Sequence, residues 1–138
     1  DPEIINLLYL ASNAGVKISL IVRGICCLYP QRKNLSENIK VISIIGHFLE
    51  HSRIFWFCNN DNPEVFIGSA DWMRRNLDRR IEAVSPIEDL DLKSQIYSLL
   101  QEYIRDDYFA WVMKEDGSYV KHIFEEANNR SQIDLIEK

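Results

Sequence analysis

Residues 1–24 read DPEIINLLYLASNAGVKISLIVRG and decide the fold of the chain. The opening Asp-Pro pair suits the cap and first turn of a helix. Apolar residues then recur at helical spacing up to Gly15, which is placed to end that helix. Residues 16–22 form a dense apolar run that is typical of a strand buried on both faces. A helix followed by a buried strand is half of an α/β unit.

The same kind of pattern continues along the rest of the chain. Strand patterns cover residues 39–45, 53–57, 65–68, 80–84 and 108–113, and helical apolar spacing covers residues 90–105. Because the connection between the second and third of these strands is of hairpin size, we expect the two to pair antiparallel within one mixed β-sheet flanked by helices. Residues 119–138 are more polar and only weakly helical in pattern. We therefore predict an α/β domain over residues 1–120 and a partly helical tail over residues 121–138.

The size and composition of the chain predict one globular domain. Its 138 residues are 46% hydrophobic and 27% charged, which is enough to form a core without disulfides or metals. The three cysteines, at positions 26, 27 and 58, lack Cys-x-x-Cys spacing and are typical of reduced thiols in a cytoplasmic protein. No apolar run approaches the ~20 residues that cross a bilayer. Because the chain begins at Asp1 instead of methionine, we expect it to be a piece of a longer protein.

Charge is distributed unevenly along the chain. The net charge of −5 argues against a general nucleic-acid binder. Residues 1–87 carry ten Lys and Arg against nine Asp and Glu, whereas residues 88–138 carry six against twelve. Four arginines, at positions 74, 75, 79 and 80, fall within seven residues. A local cationic cluster of this kind suits a compact anion such as a phosphate chain.

One short motif suggests a metal site. His47-x-x-Glu50-His51 matches the inverted zinc-peptidase pattern, in which two histidines on a helix bind zinc and the glutamate activates water. The match lies between two predicted strands, where about seven residues leave no room for a full helix, and no third ligand is evident. We therefore expect no metal ligands here and keep zinc hydrolysis only as an alternative.

A second motif suggests phosphoryl chemistry. His51 can exchange a proton or contact a phosphate, Arg53 projects from the same face two residues later, and Ser69 with its neighbouring N–H groups can hold oxyanions. This pattern resembles the His-x-Lys…Gly-Ser half-motif of the phospholipase D superfamily. Arginine replaces the lysine here, and Cys58 and Trp72 replace the expected aspartate and asparagine.

Longer blocks point to a divergent branch of that superfamily. They are LIVRGICCL (20–28), LSENI (35–39), LEHSRIF (49–55), GSADWM-x-RNLD-x-R (68–80) and DGSYV (116–120). In this order the blocks resemble the C-terminal region of bacterial polyphosphate kinase, the type that works through a phosphohistidine. The resemblance runs from residue 1 to about residue 120 and implies a phospholipase D-like domain.

The resemblance also implies an activity and roles for individual residues. The family reversibly moves the terminal phosphate of ATP onto polyphosphate, and its phosphorylated histidine lies in a preceding domain that this chain lacks. By motif position, Arg23 and His51 match residues that contact the nucleotide phosphates, and His51 is the expected catalytic residue, facing the phosphohistidine. Further phosphate contacts are carried over by motif membership to Arg53, Ser69, Asp71, Arg75, Asn76 and Arg80.

The expected partners follow from the same resemblance. They are ATP or ADP and polyphosphate, Mg2+ bound together with ATP, and the upstream domains of the same polypeptide. A homo-oligomer is expected for the full-length protein, nucleic acid is not expected, and peripheral association with the inner membrane is left open. Two alternatives remain besides zinc hydrolysis: a docking or oligomerisation module without catalysis, and a phosphodiesterase that uses His51.

Overall fold

The computed structural model describes residues 1–121 and 129–137. Its helices and strands, in chain order, are α1 (Pro2–Asn13), β1 (Ile18–Ile21), β2 (Ile39–Ile44), β3 (Ile54–Phe57), β4 (Glu64–Gly68), α2 (Arg74–Arg79), β5 (Val84–Ile87), α3 (Leu90–Arg105), β6 (Ala110–Met113), β7 (Tyr119–Lys121) and α4 (Ser131–Asp134). The chain divides into two compact units. The main unit comprises Pro2–Glu50 and Glu102–Lys138, and the inserted unit comprises His51–Gln101 together with Asp1.

The main unit is built on a four-stranded sheet in the order β1-β2-β6-β7. β1 pairs parallel with β2, and the other two pairs are antiparallel. In β2, Ile39 and Val41 are fully buried whereas Lys40 is exposed, as expected from the two-residue period of a strand. Ile39 and Val41 pack with Leu28 and Met113, and apolar residues of α1 cover this cluster. Fully burying such aliphatic side chains stabilises the fold by about 1.5–3 kcal/mol each.

The inserted unit contains a separate three-stranded sheet, β3-β4-β5, that is antiparallel throughout. Asn59, Asn60 and Asp61 form the hairpin between β3 and β4, with φ angles of 45°, 52° and 63°. Asparagine and aspartate adopt this left-handed region more readily than most residues, which explains their presence in the turn. Within this unit, Trp56 of β3 packs against Tyr97 of α3, with ring centroids 5.0 Å apart.

Several predicted elements are confirmed. The α/β class, the mixed sheet of the main unit and the antiparallel hairpin of β3 and β4 are all present. Helix α3 occupies the predicted residues 90–105. The patterns behind the hairpin and α3 are local, so the sequence alone could specify these two elements.

Other expectations require correction. The described strands form two sheets instead of one, because β2 has β1 and β6 as its two neighbours, while β3 lies at the edge of the other sheet beside β4. Strand β1 lies at a sheet edge, so its side chains are half-buried or exposed and not covered on both faces.

Two further boundaries differ from the prediction. The strand expected at residues 80–84 begins only at Val84, because Ala83 is bonded to Ser69 through its backbone N–H and carbonyl groups. Within residues 119–138, for which a weak helical pattern was predicted, residues 119–121 form strand β7, and the only helix among the described residues of this stretch is α4. The prediction for residues 122–128 lies outside the described residues.

Among residues 1–121 and 129–137, no helix has both the length and the apolar composition needed to cross a membrane.

Candidate functional site

Arg23 is placed by the main unit just beyond the end of β1. The side chain is half-buried, and its Nη1 donates a hydrogen bond to the backbone carbonyl oxygen of Glu50. Glu50 immediately precedes His51 in the sequence. The predicted phosphate-binding arginine is therefore tied to the loop that leads into the predicted catalytic histidine.

The side chain of Glu50 is also bound. Its Oε2 accepts a hydrogen bond from the Tyr103 hydroxyl at 2.9 Å, and its Oε1 accepts one from Gln132 Nε2 at 2.6 Å. Burial raises the pKa of the Tyr103 hydroxyl, and the hydrogen bond and negative charge of Glu50 raise it further. Tyr103 consequently remains a proton donor to Glu50 at neutral pH.

The structure does not support the zinc alternative. Residues 46–53 form neither a helix nor a strand, so the two histidines of the motif do not lie on one helical face. The His47 ring packs edge-on against Phe109, with ring centroids 5.6 Å apart. Because Glu50 is engaged by Tyr103 and Gln132, its carboxylate serves the packing of the loop. The helical geometry that this zinc chemistry requires is absent from this segment.

Arg53 links two predicted site residues within the inserted unit. Its Nε lies 3.1 Å from Asp71 Oδ1 and its Nη2 lies 3.4 Å from Asp71 Oδ2. Its Nη1 donates to the backbone carbonyl of His51. The two side chains are 22% and 31% exposed, so water screens the pair only partly. A fork-to-carboxylate contact fixes the plane of the guanidinium and thereby orients the His51 backbone.

Ser69 belongs to a second network in the inserted unit. The Ser69 hydroxyl donates to Glu82 Oε2 and accepts the backbone N–H of Ala83 at 3.0 Å. The buried Asn76 donates from Nδ2 to Glu82 Oε1 at 2.7 Å. The hydrogen bond from Ser69, followed by that from Asn76, lowers the pKa of the Glu82 carboxyl, and the charges of nearby arginines add to the effect.

The packing around β4 favours a glycine before Ser69. A Cβ on Gly68 would lie 3.0 Å from the carbonyl oxygen of Ala83 and 3.2 Å from Val84 Cγ2. These contacts are tight, so a side chain here would require the segment that follows α2 to move by a few tenths of an ångström. Packing alone therefore explains the glycine of the Gly-Ser pair, whether or not Ser69 contacts a ligand.

The arginine cluster is partly paired and mostly exposed. Arg74 Nε lies 3.7 Å from Asp78 Oδ2, an i,i+4 pair in which the side chains are 74% and 57% exposed. Asp78 therefore pairs with the arginine one helical turn before it. Arg75 and Arg80 are also exposed. Their role as phosphate contacts stays a prediction.

Hydrogen bonds place the predicted site residues of the inserted unit in two clusters. His51, Arg53 and Asp71 are joined by hydrogen bonds in the inserted unit, and Ser69, Asn76 and Glu82 form a second cluster there. Arg23 belongs to the main unit, where it is bound to Glu50. Sequence reasoning missed Tyr103 and Gln132, because neither is part of a motif and only the fold brings them to Glu50.

Comparisons with known proteins identify relatives of this chain. A family model described as "Polyphosphate kinase C-terminal domain 2" matches residues 1–132. A polyphosphate kinase of Parasynechococcus marenigrum is 55% identical over 140 residues, covering 100% of this chain and 20% of the relative. A polyphosphate kinase of Prochlorococcus marinus is 63% identical over 121 residues, covering 88% and 17%. The chain therefore spans about a fifth of the length of these relatives.

A solved structure agrees with these matches. The crystal structure of polyphosphate kinase from Porphyromonas gingivalis superposes with a TM-score of 0.94 at 42% identity, covering 99% of this chain and 21% of that one. The fold is accordingly that of a phospholipase D-like α/β domain. Its sequence places it more narrowly: the chain belongs to the polyphosphate kinase C-terminal domain 2 family.

Proposed function

We propose that this chain supplies nucleotide and phosphate contacts in an ATP–polyphosphate phosphotransferase. The enzyme would transfer the terminal phosphate of ATP reversibly to polyphosphate through a phosphohistidine in an upstream domain. The relatives named polyphosphate kinase support this proposal. The observation that carries it at residue level is the hydrogen bond from Arg23 to Glu50, which immobilises a cationic side chain against the segment that leads into His51.

The chemistry of phosphoryl transfer suits these residues. Catalysis depends mainly on positioning and on cations or donors that meet the charge on the phosphate oxygens. A guanidinium such as that of Arg23 presents a planar array of donors to those oxygens. The imidazole of His51 can donate a proton or a hydrogen bond to the departing group. Losing one contact of this kind typically costs on the order of 3 kcal/mol, or about 100-fold in rate.

The remaining predicted residues have supporting parts in the proposal. Arg53 and Ser69 lie within the hydrogen-bonded networks of the inserted unit, whereas Arg75 and Arg80 are exposed cations. We infer that the exposed pair attracts the phosphate chain and that Arg53 acts also through the His51 backbone to which it is bonded.

Mg2+ enters the proposal as the ion that accompanies ATP. In the part of the chain that the structure describes, no group of three or more His, Cys, Asp and Glu side chains is arranged to hold a metal ion. Because Mg2+ is usually held by one or two carboxylates together with substrate phosphates, the ion would enter the site with the nucleotide. Assembly into a homo-oligomer, a cytoplasmic location and peripheral membrane association stay part of the proposal.

The proposal is tested by substitution in the complete gene product that contains these residues. We expect Arg23→Gln and His51→Asn each to lower kcat/KM for ATP by about 100-fold in a polyphosphate-synthesis assay. Arg74→Gln is the matched control, because Arg74 is an exposed arginine paired with Asp78. Full activity in both the Arg23 and His51 variants would refute the assignment of these residues.

A docking or oligomerisation module is the second candidate. The pairing of Arg53 with Asp71 and of Arg74 with Asp78 favours it, since both arginines are partly neutralised. For such a module, the substitutions Arg23→Gln and His51→Asn would change the mass of the assembly in light scattering and leave ATP affinity unaltered. Loss of ATP affinity at constant assembly mass supports the phosphotransferase instead.

A further inference from the structure

Gln132 makes three hydrogen bonds to one loop. Its Oε1 accepts the backbone N–H of Phe48 at 3.0 Å, and its Nε2 donates to the carbonyl oxygen of Phe48 at 2.7 Å and to Glu50 Oε1 at 2.6 Å. The residue is only 4% exposed. Both amide hydrogens and one acceptor position of the side chain are used. The Gln132 amide bonds to both the N–H and the carbonyl group of Phe48, as the backbone of a neighbouring strand would.

The loop approaches this amide very closely. At Gly46, a Cβ would overlap Gln132 Oε1 and would lie 2.9 Å from Phe109 Cδ1. The absence of a side chain at this position lets the backbone lie directly against the amide. Gln132 and the loop over residues 46–50 are therefore packed as a single piece of the main unit.

Gln132 is itself firmly held. The preceding residue, Ser131, donates from both its backbone N–H and its hydroxyl to Asp106 Oδ2. The other oxygen of Asp106 accepts the backbone N–H groups of residues 108–110. Because Asp106 and Ser131 are buried, replacement of these bonds by water is disfavoured, and α4 is fixed at the position that aims Gln132 at the loop.

The opposite end of this loop contacts Arg23. The Glu50 carbonyl accepts the hydrogen bond from Arg23 Nη1, and the Glu50 side chain is held by Gln132 on one oxygen and by Tyr103 on the other. A shift of the Glu50 backbone therefore moves the acceptor that orients the arginine. Small displacements matter in this setting, because a misplacement of about 1 Å can cost on the order of 100-fold in rate.

We propose that Gln132 is a positioning residue that sets the orientation of Arg23 toward the phosphates of a nucleoside triphosphate, acting through the Phe48–Glu50 backbone. This role rests on the proposed function of Arg23. It assigns a purpose in the phosphotransfer site to the C-terminal segment, which carries no recognisable motif. Tyr103 supports the same loop from the other side of the Glu50 carboxylate.

The central experiment is a double-mutant cycle in the complete gene product. We expect Gln132→Ala to lower kcat/KM for ATP by about 10-fold to 100-fold, and to cost less than about 2-fold once Arg23 is already replaced by glutamine. Gln95→Ala is the matched control, because Gln95 is an exposed glutamine of α3, and its activity should equal that of the unaltered protein. Equal losses from Gln132→Ala in both backgrounds would show that Gln132 does not act through Arg23.

Tyr103→Phe is a second, milder variant that tests the same loop if Gln132→Ala does not fold. It removes one hydrogen bond to Glu50 and keeps the ring, so we expect a smaller loss, of about 3-fold to 10-fold, with the same dependence on Arg23. The outcomes separate the two proposals. If Arg23→Gln alone is fully active, the proposed function of Arg23 fails. If Arg23→Gln is impaired while Gln132→Ala and Tyr103→Phe are fully active, only the positioning role is overturned.

Discussion

Two carboxylates, Asp106 in the main unit and Glu82 in the inserted unit, each accept hydrogen bonds from two different segments of the chain. Asp106 is 4% exposed and accepts hydrogen bonds from three successive backbone N–H groups and from both donors of Ser131. Within the described part of the chain, Glu82 accepts hydrogen bonds from Ser69 and Asn76, and its side chain is partly exposed to water. The same chemical group therefore has a structural role of very different weight in the two places.

The difference follows from burial. A buried donor that loses its acceptor cannot turn to water, so the whole desolvation penalty appears in the free energy of unfolding. At the surface, water replaces the lost acceptor and the penalty largely disappears. We therefore expect substitutions around the Arg23 loop to lower both the free energy of unfolding and the activity. Substitutions around Ser69 should lower the free energy of unfolding less.

The largest effect is expected at Asp106. Asp106→Ala leaves five donors without their acceptor, four of them in buried hydrogen bonds, and should lower the free energy of unfolding by about 3–5 kcal/mol. Urea denaturation of the variant and of the unaltered chain measures this change. Asp78→Ala is the control, because its carboxylate is 57% exposed and should cost less than about 0.5 kcal/mol. A loss at Asp106 no larger than that at Asp78 would contradict the contrast between buried and exposed carboxylates.

An intermediate effect is expected for the pair of Arg53 and Asp71. Its side chains are 22% and 31% exposed, against 74% and 57% for the pair of Arg74 and Asp78. The first pair also has the better geometry, because Arg53 contacts both oxygens of Asp71 at 3.1 Å and 3.4 Å, whereas Arg74 contacts one oxygen of Asp78 at 3.7 Å. Double-mutant cycles with Arg→Gln and Asp→Asn should give a coupling of about 1 kcal/mol for the first pair and about 0.3 kcal/mol for the second.

The measurement for these pairs is the midpoint of urea unfolding in all four members of each cycle. A coupling for the exposed pair that equals or exceeds that of the half-buried pair would show that neither burial nor the two-oxygen contact strengthens the pair of Arg53 and Asp71. The Arg53 and Asp71 variants should in addition lower phosphotransfer activity, since Arg53 also donates to the His51 carbonyl.

The sequence predicted those parts of the fold that depend on neighbouring residues. The hairpin of β3 and β4, for example, follows from a short polar connection, and α3 follows from apolar residues at helical spacing. Which strands share a sheet depends on contacts between distant segments, so the division into two sheets did not follow from local patterns. The start of β5 at Val84 also depends on a contact between separate segments, because the backbone N–H of Ala83 donates to the Ser69 hydroxyl. The sequence pattern therefore did not reveal it.

The candidate site was predictable to the extent that motifs carry it. His51, Arg53 and Ser69 were proposed from their spacing, and Arg23 from its place after the first strand and from family resemblance, and their roles stay predictions. Gln132 lies 84 residues from Phe48, in a polar segment where a glutamine resembles any solvated side chain. Its role depends on burial and on the placement of α4 by Asp106, neither of which a single sequence reveals.

The smallest effect, and the most specific, is the pH dependence expected at Glu82. Because hydrogen bonds from Ser69 and Asn76 lower its pKa in the folded protein below the ordinary 4.5, folding favours the ionised carboxylate. The resulting stabilisation is complete above pH 4.5 and is lost as the pH falls through the lower value of the folded state. Glu82→Gln cannot ionise, so its urea midpoint should fall less steeply over this acid range than that of the unaltered chain.

Ser69→Ala provides the matched variant for this measurement. It keeps the carboxyl group but removes the hydrogen bond that contributes most to the lowered pKa, so its acid-dependent loss of stability should lie between those of the unaltered chain and Glu82→Gln. Parallel curves for all three proteins would mean that the Ser69–Glu82 bond contributes nothing to folding. Asp106 would then be a carboxylate that stabilises the fold, and Glu82 one that does not contribute to the free energy of unfolding.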